Sequence, residues 1–190
     1  MKISIINIVS EEYREWIRFI IRALPASPIC NKLRNIYWST KFKNHKKIFN
    51  IGRMSNFYNA KIIEIGDNFC IGENSCIDAS NSDEGVYIGD NVLIASGLFI
   101  RTANHKYDSI DTPIRLQGHK SKKNEYNGKN YYVVMENDVW ISQNVTILTG
   151  VKIGVGSIIG AGCVIVRDIP PYSIVGIEPG KVIRNRKNKS

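Results

Sequence analysis

The chain repeats itself every six residues. Read in sixes it gives IGDNFC (65–70), IGENSC (71–76) and IDASNS (77–82), then IGDNVL (88–93), IASGLF (94–99) and IRTANH (100–105). After a long interruption it resumes with MENDVW (135–140), ISQNVT, ILTGVK, IGVGSI, IGAGCV and IVRDIP, ending at Pro170. Position one is Ile in eleven of these twelve hexads and Met135 in the other. Position five is small or apolar in ten: Phe69, Ser75, Val92, Leu98, Val139, Val145, Val151, Ser157, Cys163 and Ile169. A period of six is neither the ~3.6 of an amphipathic helix nor the ~2 of a simple strand. It marks a solenoid of hexapeptide repeats. Each hexad supplies a short strand and a corner, with positions one and five turned inward. Gly and Asn at the corners accept positive φ at low cost. Stacked coils then bury one continuous apolar column. The expected fold is an all-β solenoid, a parallel β-helix over 47–178, with one long inserted loop at 106–134. Residues 47–64 are expected to add a degenerate coil, with Ile51, Phe57 and Ile63 inward.

The stretch before the repeat reads differently. In residues 10–24, Tyr13, Trp16, Ile17, Ile20, Ile21 and Leu24 fall on one helical face, and Arg14, Arg18 and Arg22 on another. Ser10 is the expected N-cap, and Pro25 and Pro28 the expected stop. A second short helix is expected within 29–47, ending in the run Lys41, Lys43, Lys46 and Lys47. Residues 1–46 thus form an N-terminal α-helical segment, and 179–190 a basic tail.

The formal charge of +9 is concentrated at these two ends. Residues 1–53 carry eleven Lys/Arg against three acids, and 181–190 carry five basic groups and no acid. The middle, 54–180, holds ten basic and fourteen acidic residues, so the repeat body is mildly acidic. A nucleic-acid reader built on that body is disfavoured, and no nucleic-acid partner is expected. The basic N-terminal segment has two readings. It packs on its own domain or a partner chain with a solvated basic face, or it meets an anionic membrane surface or anionic glycan. The apolar run at the start lacks a basic leader and an A-x-A-like cleavage site, and no apolar stretch nears ~18 residues. A cytoplasmic protein is expected, with the inner membrane surface as a further location. Four cysteines without a CxxC suit free thiols; Cys163 sits at a core position.

The repeats, with Val139-Trp140-Ile141, Ile159-Gly160-Ala161-Gly162, Arg167-Asp168-Ile169-Pro170-Pro171 and Pro179-Gly180-Lys181-Val182-Ile183-Arg184, resemble the hexapeptide-repeat acyltransferase superfamily over roughly residues 50–186. The resemblance is to the branch of galactoside and maltose O-acetyltransferases. The basic N-terminal segment and the long loop look most like its bacterial capsule and O-antigen polysaccharide O-acetyltransferases. It implies a left-handed parallel β-helix, a homotrimer about a threefold axis, and acetyl-CoA as co-substrate in grooves between adjacent chains. No metal is implied.

The segment Thr102-Ala103-Asn104-His105-Lys106-Tyr107-Asp108 resembles the family's catalytic segment, and the resemblance makes His105 the general base. The chemistry asks for such a group. A sugar hydroxyl is too weak an acid to ionise near neutral pH, whereas a neutral imidazole can take its proton as the oxygen attacks the thioester carbonyl. No acyl-enzyme is required. Asp108, Asp111, Glu125 or a backbone carbonyl are the candidates for orienting His105. The family's oxyanion-stabilising Asn falls on Gly72 here, with Asn74 two residues on, so the oxyanion donor stays open. Asn74, Asp78, Asp83 and Asn104 are candidate contacts to a sugar or polysaccharide acceptor. By the same resemblance Trp140, Ser142, Gln143, Gly160, Ala161, Val166, Arg167, Lys181 and Arg184 bind acetyl-CoA, with Ala95 beside them. Arg167, Lys181 and Arg184 suit its phosphates. The insertion 106–134, with Tyr126, Tyr131 and Tyr132, is expected to be an arm over the acceptor whose tyrosines stack on sugar rings, or else a loop that clasps a neighbouring chain of the trimer.

The leading function is acetyl-CoA-dependent O-acetylation of a sugar hydroxyl, in a surface polysaccharide or its precursor. The alternatives are N-acetylation of a nucleotide-linked amino sugar, O-acetylation of an antibiotic, and a non-catalytic β-helix scaffold. A β-helical carbonic anhydrase needs three metal-binding histidines, and His45, His105 and His119 do not offer the spacing.

Overall fold

The hexads become strands, and the strands visit three parallel sheets in rotation. The computed structural model of the chain describes residues 5–79, 84–176, 181–185 and 187. The first face stacks Asn44–His45, Ile63–Ile65, Gly85–Ile88, Lys129–Met135 and Val151–Ile153. The second stacks Ile48–Ile51, Phe69–Ile71, Leu93–Ile94, Trp140–Ile141, Ile158–Ile159 and Ser173–Gly176. The third stacks Asn56–Tyr58, Cys76–Asp78, Phe99–Arg101, Thr146–Ile147 and Val164–Ile165. Neighbours within each stack are parallel, and Ile sits over Ile: Ile71 pairs with Ile94, Ile94 with Ile141, and Ile141 with Ile159.

Every position-one residue from Ile65 to Ile165 is buried, and so are the ten position-five residues named above. Each fully buried Ile or Val contributes about 1.5–3 kcal/mol, which makes this column the main stabilising element. The corners follow from position four. Asn68, Asn91, Asp138 and Gly156 have positive φ at the first corner; Asn74, Gly97, Asn144 and Gly162 have it at the second. Their N–H groups donate to the coil before, as from Asn74 to Arg53 O (2.9 Å) and from Gly97 to Glu73 O (2.9 Å). At the second corner position two is small for another reason: a Cβ on Gly72 would lie 2.5 Å from Ser96 N and 2.7 Å from Ala95 C. The third corner is irregular. The break after Ala79 and the long insertion both leave there.

The N-terminal segment closes the open end of the coil. Helix α1 spans Ile5–Ala23 and helix α2 spans Pro28–Ser39. Ser10 therefore lies inside α1 and is not its N-cap, because the run from Ile5 to Val9 contains no breaker. Pro25 does follow the end of α1, but Pro28 opens α2 at a position where no N–H is needed, with Ser27 capping Cys30 N. The expected helix over 29–47 ends at Ser39. Beyond it the backbone turns to the exposed edge of the first face, where Lys43 N–H donates to Ile63 O (3.1 Å) and Lys46 N–H to Ile65 O (3.2 Å). Trp38, Phe42 and Phe57 pack as an aromatic plug, with Trp38 and Phe57 centroids 4.8 Å apart.

Half of α1's apolar face is turned outward: Tyr13, Trp16 and Ile20 are exposed, whereas Ile17, Ile21 and Leu24 are half-buried. The arginines do not form one solvated row. Arg22 donates to Met54 O (2.9 Å) and Ser55 O (3.1 Å), and Arg18 lies over the Tyr58 ring and pairs with Glu15. Arg34, 1% exposed, donates to Ile51 O (3.0 Å), Leu24 O (2.6 Å), Pro25 O (3.2 Å) and Asn31 Oδ1. Arg18, Arg22 and Arg34 thus serve as internal scaffolding, whereas Arg14, Lys32, Lys41, Lys43, Lys46, Lys47 and Arg53 stay exposed. No helix among the described residues is long and apolar enough to cross a membrane.

Candidate active site

Thr102 roots the insertion. It is fully buried at the third corner, and its N–H donates to Asp78 O (3.1 Å) in the coil before. Its carbonyl accepts from Ser121 Oγ (3.0 Å) and from Thr149 Oγ1 (2.8 Å). Both ends of the excursion are therefore tied to one residue of the rigid coil. Three residues beyond this root, Asn104–His105 pairs antiparallel with His119–Lys120. The outgoing and returning chains also close through Lys106 N–H to Gly118 O (3.0 Å) and the Lys120–Asp108 ion pair (3.4 Å). The tip is held by Gln117, whose amide bonds Ser109 O (2.8 Å) and Thr112 O (2.6 Å). His105 is thus carried on a braced ribbon rather than on a loose loop.

Of the candidate orienting carboxylates, one is paired elsewhere and two lie on other parts of the excursion. Asp108 pairs with Lys120, Asp111 lies in the Gln117-capped tip, and Glu125 belongs to a strand paired with Asn130. The ring next to His105 is His119, 4.8 Å away between centroids and tilted by 33°. Sequence reasoning weighed His119 only as a metal ligand. The dipeptide His-Lys does not single it out, because it occurs at 45–46 as well as at 105–106 and 119–120. Among the described residues no group of three or more His, Cys, Asp or Glu could hold a metal ion.

The remaining candidates divide between two edges of the coil. Asp78, Asn104 and His105 lie at the third corner. Val166, 52% exposed, and Arg167, also exposed, lie at the same corner further along the coil, following Val164–Ile165. The second face and its far corner hold the others. Trp140 is 47% exposed there, between Leu93 and Ile158. Ala95, Ser142 and Gly160 stack in successive coils, Ala95 N–H on Ile141 O (2.8 Å), Ser142 N–H on Ile159 O (2.9 Å) and Gly160 N–H on Val175 O (2.8 Å). Gln143 and Ala161 stand exposed beside them. A strip of small side chains next to an open indole suits an extended, slender ligand that approaches backbone. Within one chain the structure does not bring this strip together with His105.

Asn74 also lies away from His105, at φ 55 in the second corner's column, where its backbone conformation accounts for its identity. The backbone of Lys181–Asn185 pairs antiparallel with Ser173–Gly176, so Lys181 and Arg184 extend the second face. Asp83 lies outside the described residues.

The insertion ends sooner than its sequence suggests. Asn124–Tyr126 folds back on Lys129–Met135, and the latter strand rejoins the first face between Gly85–Ile88 and Val151–Ile153. Tyr131 is 3% exposed and packs on Tyr87 (5.5 Å), which removes it from sugar stacking. The returning strand also covers Glu64. That carboxylate meets Lys43 (3.1 Å) and Lys129 (3.3 Å). Burial pushes its pKa up, but hydrogen bonds from Lys43, Lys129, Tyr131 and Asn44 outweigh burial and hold it below the usual range. Burial and the Glu64 charge beside it push the Tyr131 phenol well up.

Comparison with known proteins points one way. Residues 132–167 match the family model of bacterial transferase hexapeptide (six repeats). The chain is 38% identical over 124 residues to galactoside O-acetyltransferase of Escherichia coli (strain K12), covering 64% of this chain and 53% of that one. It is 42% identical over 128 residues to the putative acetyltransferase YJL218W of Saccharomyces cerevisiae, covering 67% of this chain and 58% of that one. The chain spans about half the length of these relatives. A solved galactoside acetyltransferase in complex with coenzyme A superposes with a TM-score of 0.72 at 27% identity, covering 90% of this chain and 78% of that one. A maltose O-acetyltransferase from Clostridium difficile 630 shares the fold, with a TM-score of 0.66 at 24% identity over 96% of this chain and 89% of that one.

Proposed function

We propose that the chain is a member of the hexapeptide-repeat acyltransferase superfamily and transfers an acetyl group from acetyl-CoA to a sugar hydroxyl. The observation that carries this reading is the braced ribbon, which holds a histidine out from a rigid corner with both of its ends tied to Thr102. The likeness to galactoside O-acetyltransferase, and to a galactoside acetyltransferase solved with coenzyme A, supports both donor and acceptor class. We take the coil to be left-handed on the same likeness.

In this reading acetyl-CoA supplies an activated acetyl group and a thiolate leaving group. His105 takes the acceptor hydroxyl's proton on a ring nitrogen and returns it to the departing sulfur, so no covalent enzyme species forms. Trp140 and the strip Ala95, Ser142, Gly160 line the pantetheine path, with Gln143 and Ala161 at its side. Arg167, with Lys181 and Arg184 of the antiparallel strand, is assigned to the phosphates, and Val166 flanks His105's edge. Asp78 and Asn104 adjoin the acceptor.

The two half-sites stand on different edges of one coil, which supports a homotrimer in which the His105 corner of one copy meets the Trp140 strip of the next. Acetyl-CoA is a cytoplasmic metabolite, so we place the reaction in the cytoplasm. The acceptor is a saccharide destined for a surface polysaccharide. The test is release of free thiol from acetyl-CoA across a panel of galactosides, maltosides, capsule fragments, nucleotide-linked amino sugars and hydroxyl-bearing antibiotics. Turnover with a hydroxyl-only saccharide supports the proposal. Turnover confined to amino sugars or antibiotics, or none with any acceptor, overturns it.

A further inference from the structure

His119 stands in a particular relation to His105. The two are register partners across the ribbon, so their side chains leave the same face of it. Their rings lie 4.8 Å apart with a tilt of 33°, within the range in which planar rings pack on one another. Both residues are exposed, on a two-residue strand each. An exposed histidine on so short a ribbon would ordinarily sample several rotamers. Of the three carboxylates within reach by sequence, Asp108 is held by Lys120, while Asp111 belongs to the tip and Glu125 to the returning hairpin strand. Among the described residues, the ring of His119 is what supports the ring of His105.

The surrounding bonds fix this neighbour as well. Ser121, two residues after His119, is tied to the buried Thr102, and Gly118, one residue before it, accepts from Lys106 N–H. His119 is therefore anchored on both sides by the same links that anchor His105. The ring pair is a built feature of the ribbon and not a chance approach of two mobile loops.

We propose that His119 is a positioning residue that holds the imidazole of His105 in the orientation used for transfer. The proposal rests on the reading of His105 as the base. It acts through ring packing, so it requires a flat ring at position 119 and not a nitrogen.

The test uses the full chain with His119→Ala and His119→Phe, at a site exposed enough that neither should disturb the coil. His119→Ala should lower kcat by about 3–10-fold, because a freed base spends only part of its time in a productive rotamer, with KM for acetyl-CoA unchanged. His119→Phe should return kcat to within about twofold of the parent, because the ring contact is kept. An unchanged kcat in His119→Ala, or a His119→Phe as slow as His119→Ala, overturns the proposal. A second readout does not depend on turnover: carbon-13 relaxation of the His105 ring should show greater mobility in His119→Ala and parent-like mobility in His119→Phe. Equal mobility in all three proteins overturns the proposal even where transfer is measured. Full activity in His105→Ala instead overturns the reading of His105 as the base, and the ring-mobility result still decides whether His119 holds its neighbour.

Discussion

Replacing Arg34 by methionine tests whether the basic N-terminal segment is scaffolding. The guanidinium is buried and gives hydrogen bonds to four acceptors: the carbonyls of Ile51, Leu24 and Pro25, and the side chain of Asn31. Those acceptors belong to the first coil, the chain after α1 and α2, so one side chain joins three parts of the cap. At about 1 kcal/mol net for each bond, the loss is about 4 kcal/mol. Methionine relieves the cost of burying a charge and refills the stem's volume, which returns part of that. The expected net destabilisation is about 3 kcal/mol. For a chain of this length that corresponds to a drop in Tm of about 6–12 °C. Far-UV circular dichroism would follow the transition, and amide exchange would show residues 28–51 exchanging sooner than the hexad strands. A Tm within about 2 °C of the parent, with unchanged exchange, would refute the reasoning and return Arg34 to the pool of charges available to an anionic partner.

Three further outcomes follow from the packing and the site. Gly72→Ala places a Cβ against the backbone of Ser96 and Ala95, and should destabilise the coil by about 1–3 kcal/mol, read by urea unfolding. Glu64 has its pKa depressed in the folded chain, so the stability it contributes is full above the ordinary value of 4.5 and is lost as pH falls below it. Glu64→Gln should therefore flatten the acid limb of a Tm-against-pH curve, and an unaltered limb would show that the carboxylate is not held by its partners. Arg167→Ala and Lys181→Ala should mainly raise KM for acetyl-CoA while leaving kcat within about threefold, and unchanged KM values would remove both from the donor site.

The repeat was legible because it obeys one rule throughout. Position one meets position one of the next coil, so Ile71, Ile94, Ile141 and Ile159 announce their stacking in the linear text. The corner residues were legible for a similar reason: only Asn, Asp or Gly adopts positive φ cheaply, and they recur at position four. The parts that were not legible depend on contacts between segments of unlike pattern. Ser10 looks like a cap, yet the residues before it continue the helix. Lys41–Lys47 looks like the end of a helix, but the open edge of the first face draws residues 44–45 into a strand. Tyr131 looks like part of a polar arm, but its backbone pairs with Gly85–Ile88, more than forty residues earlier, in the sheet that starts at Asn44–His45. Within the site, the corner bearing His105 was readable from the break in the repeat. The partner ring at His119 was not, because it depends on the register of a hairpin that pairs residues fourteen apart in a segment without periodicity.

In the proposed function, one site is assembled from two edges supplied by two copies of the chain. Co-expressing two inactive variants tests this most directly. His105→Ala keeps the Trp140 strip and spoils the corner, whereas Gly160→Trp keeps the corner and blocks the strip. If sites form between copies of a cyclic trimer, random mixing leaves about one site in four with both edges intact, so thiol release from acetyl-CoA should return to about a quarter of the parent rate. If each chain carries its own complete site, every chain in the mixture is defective, and activity no greater than that of the single variants would contradict the account.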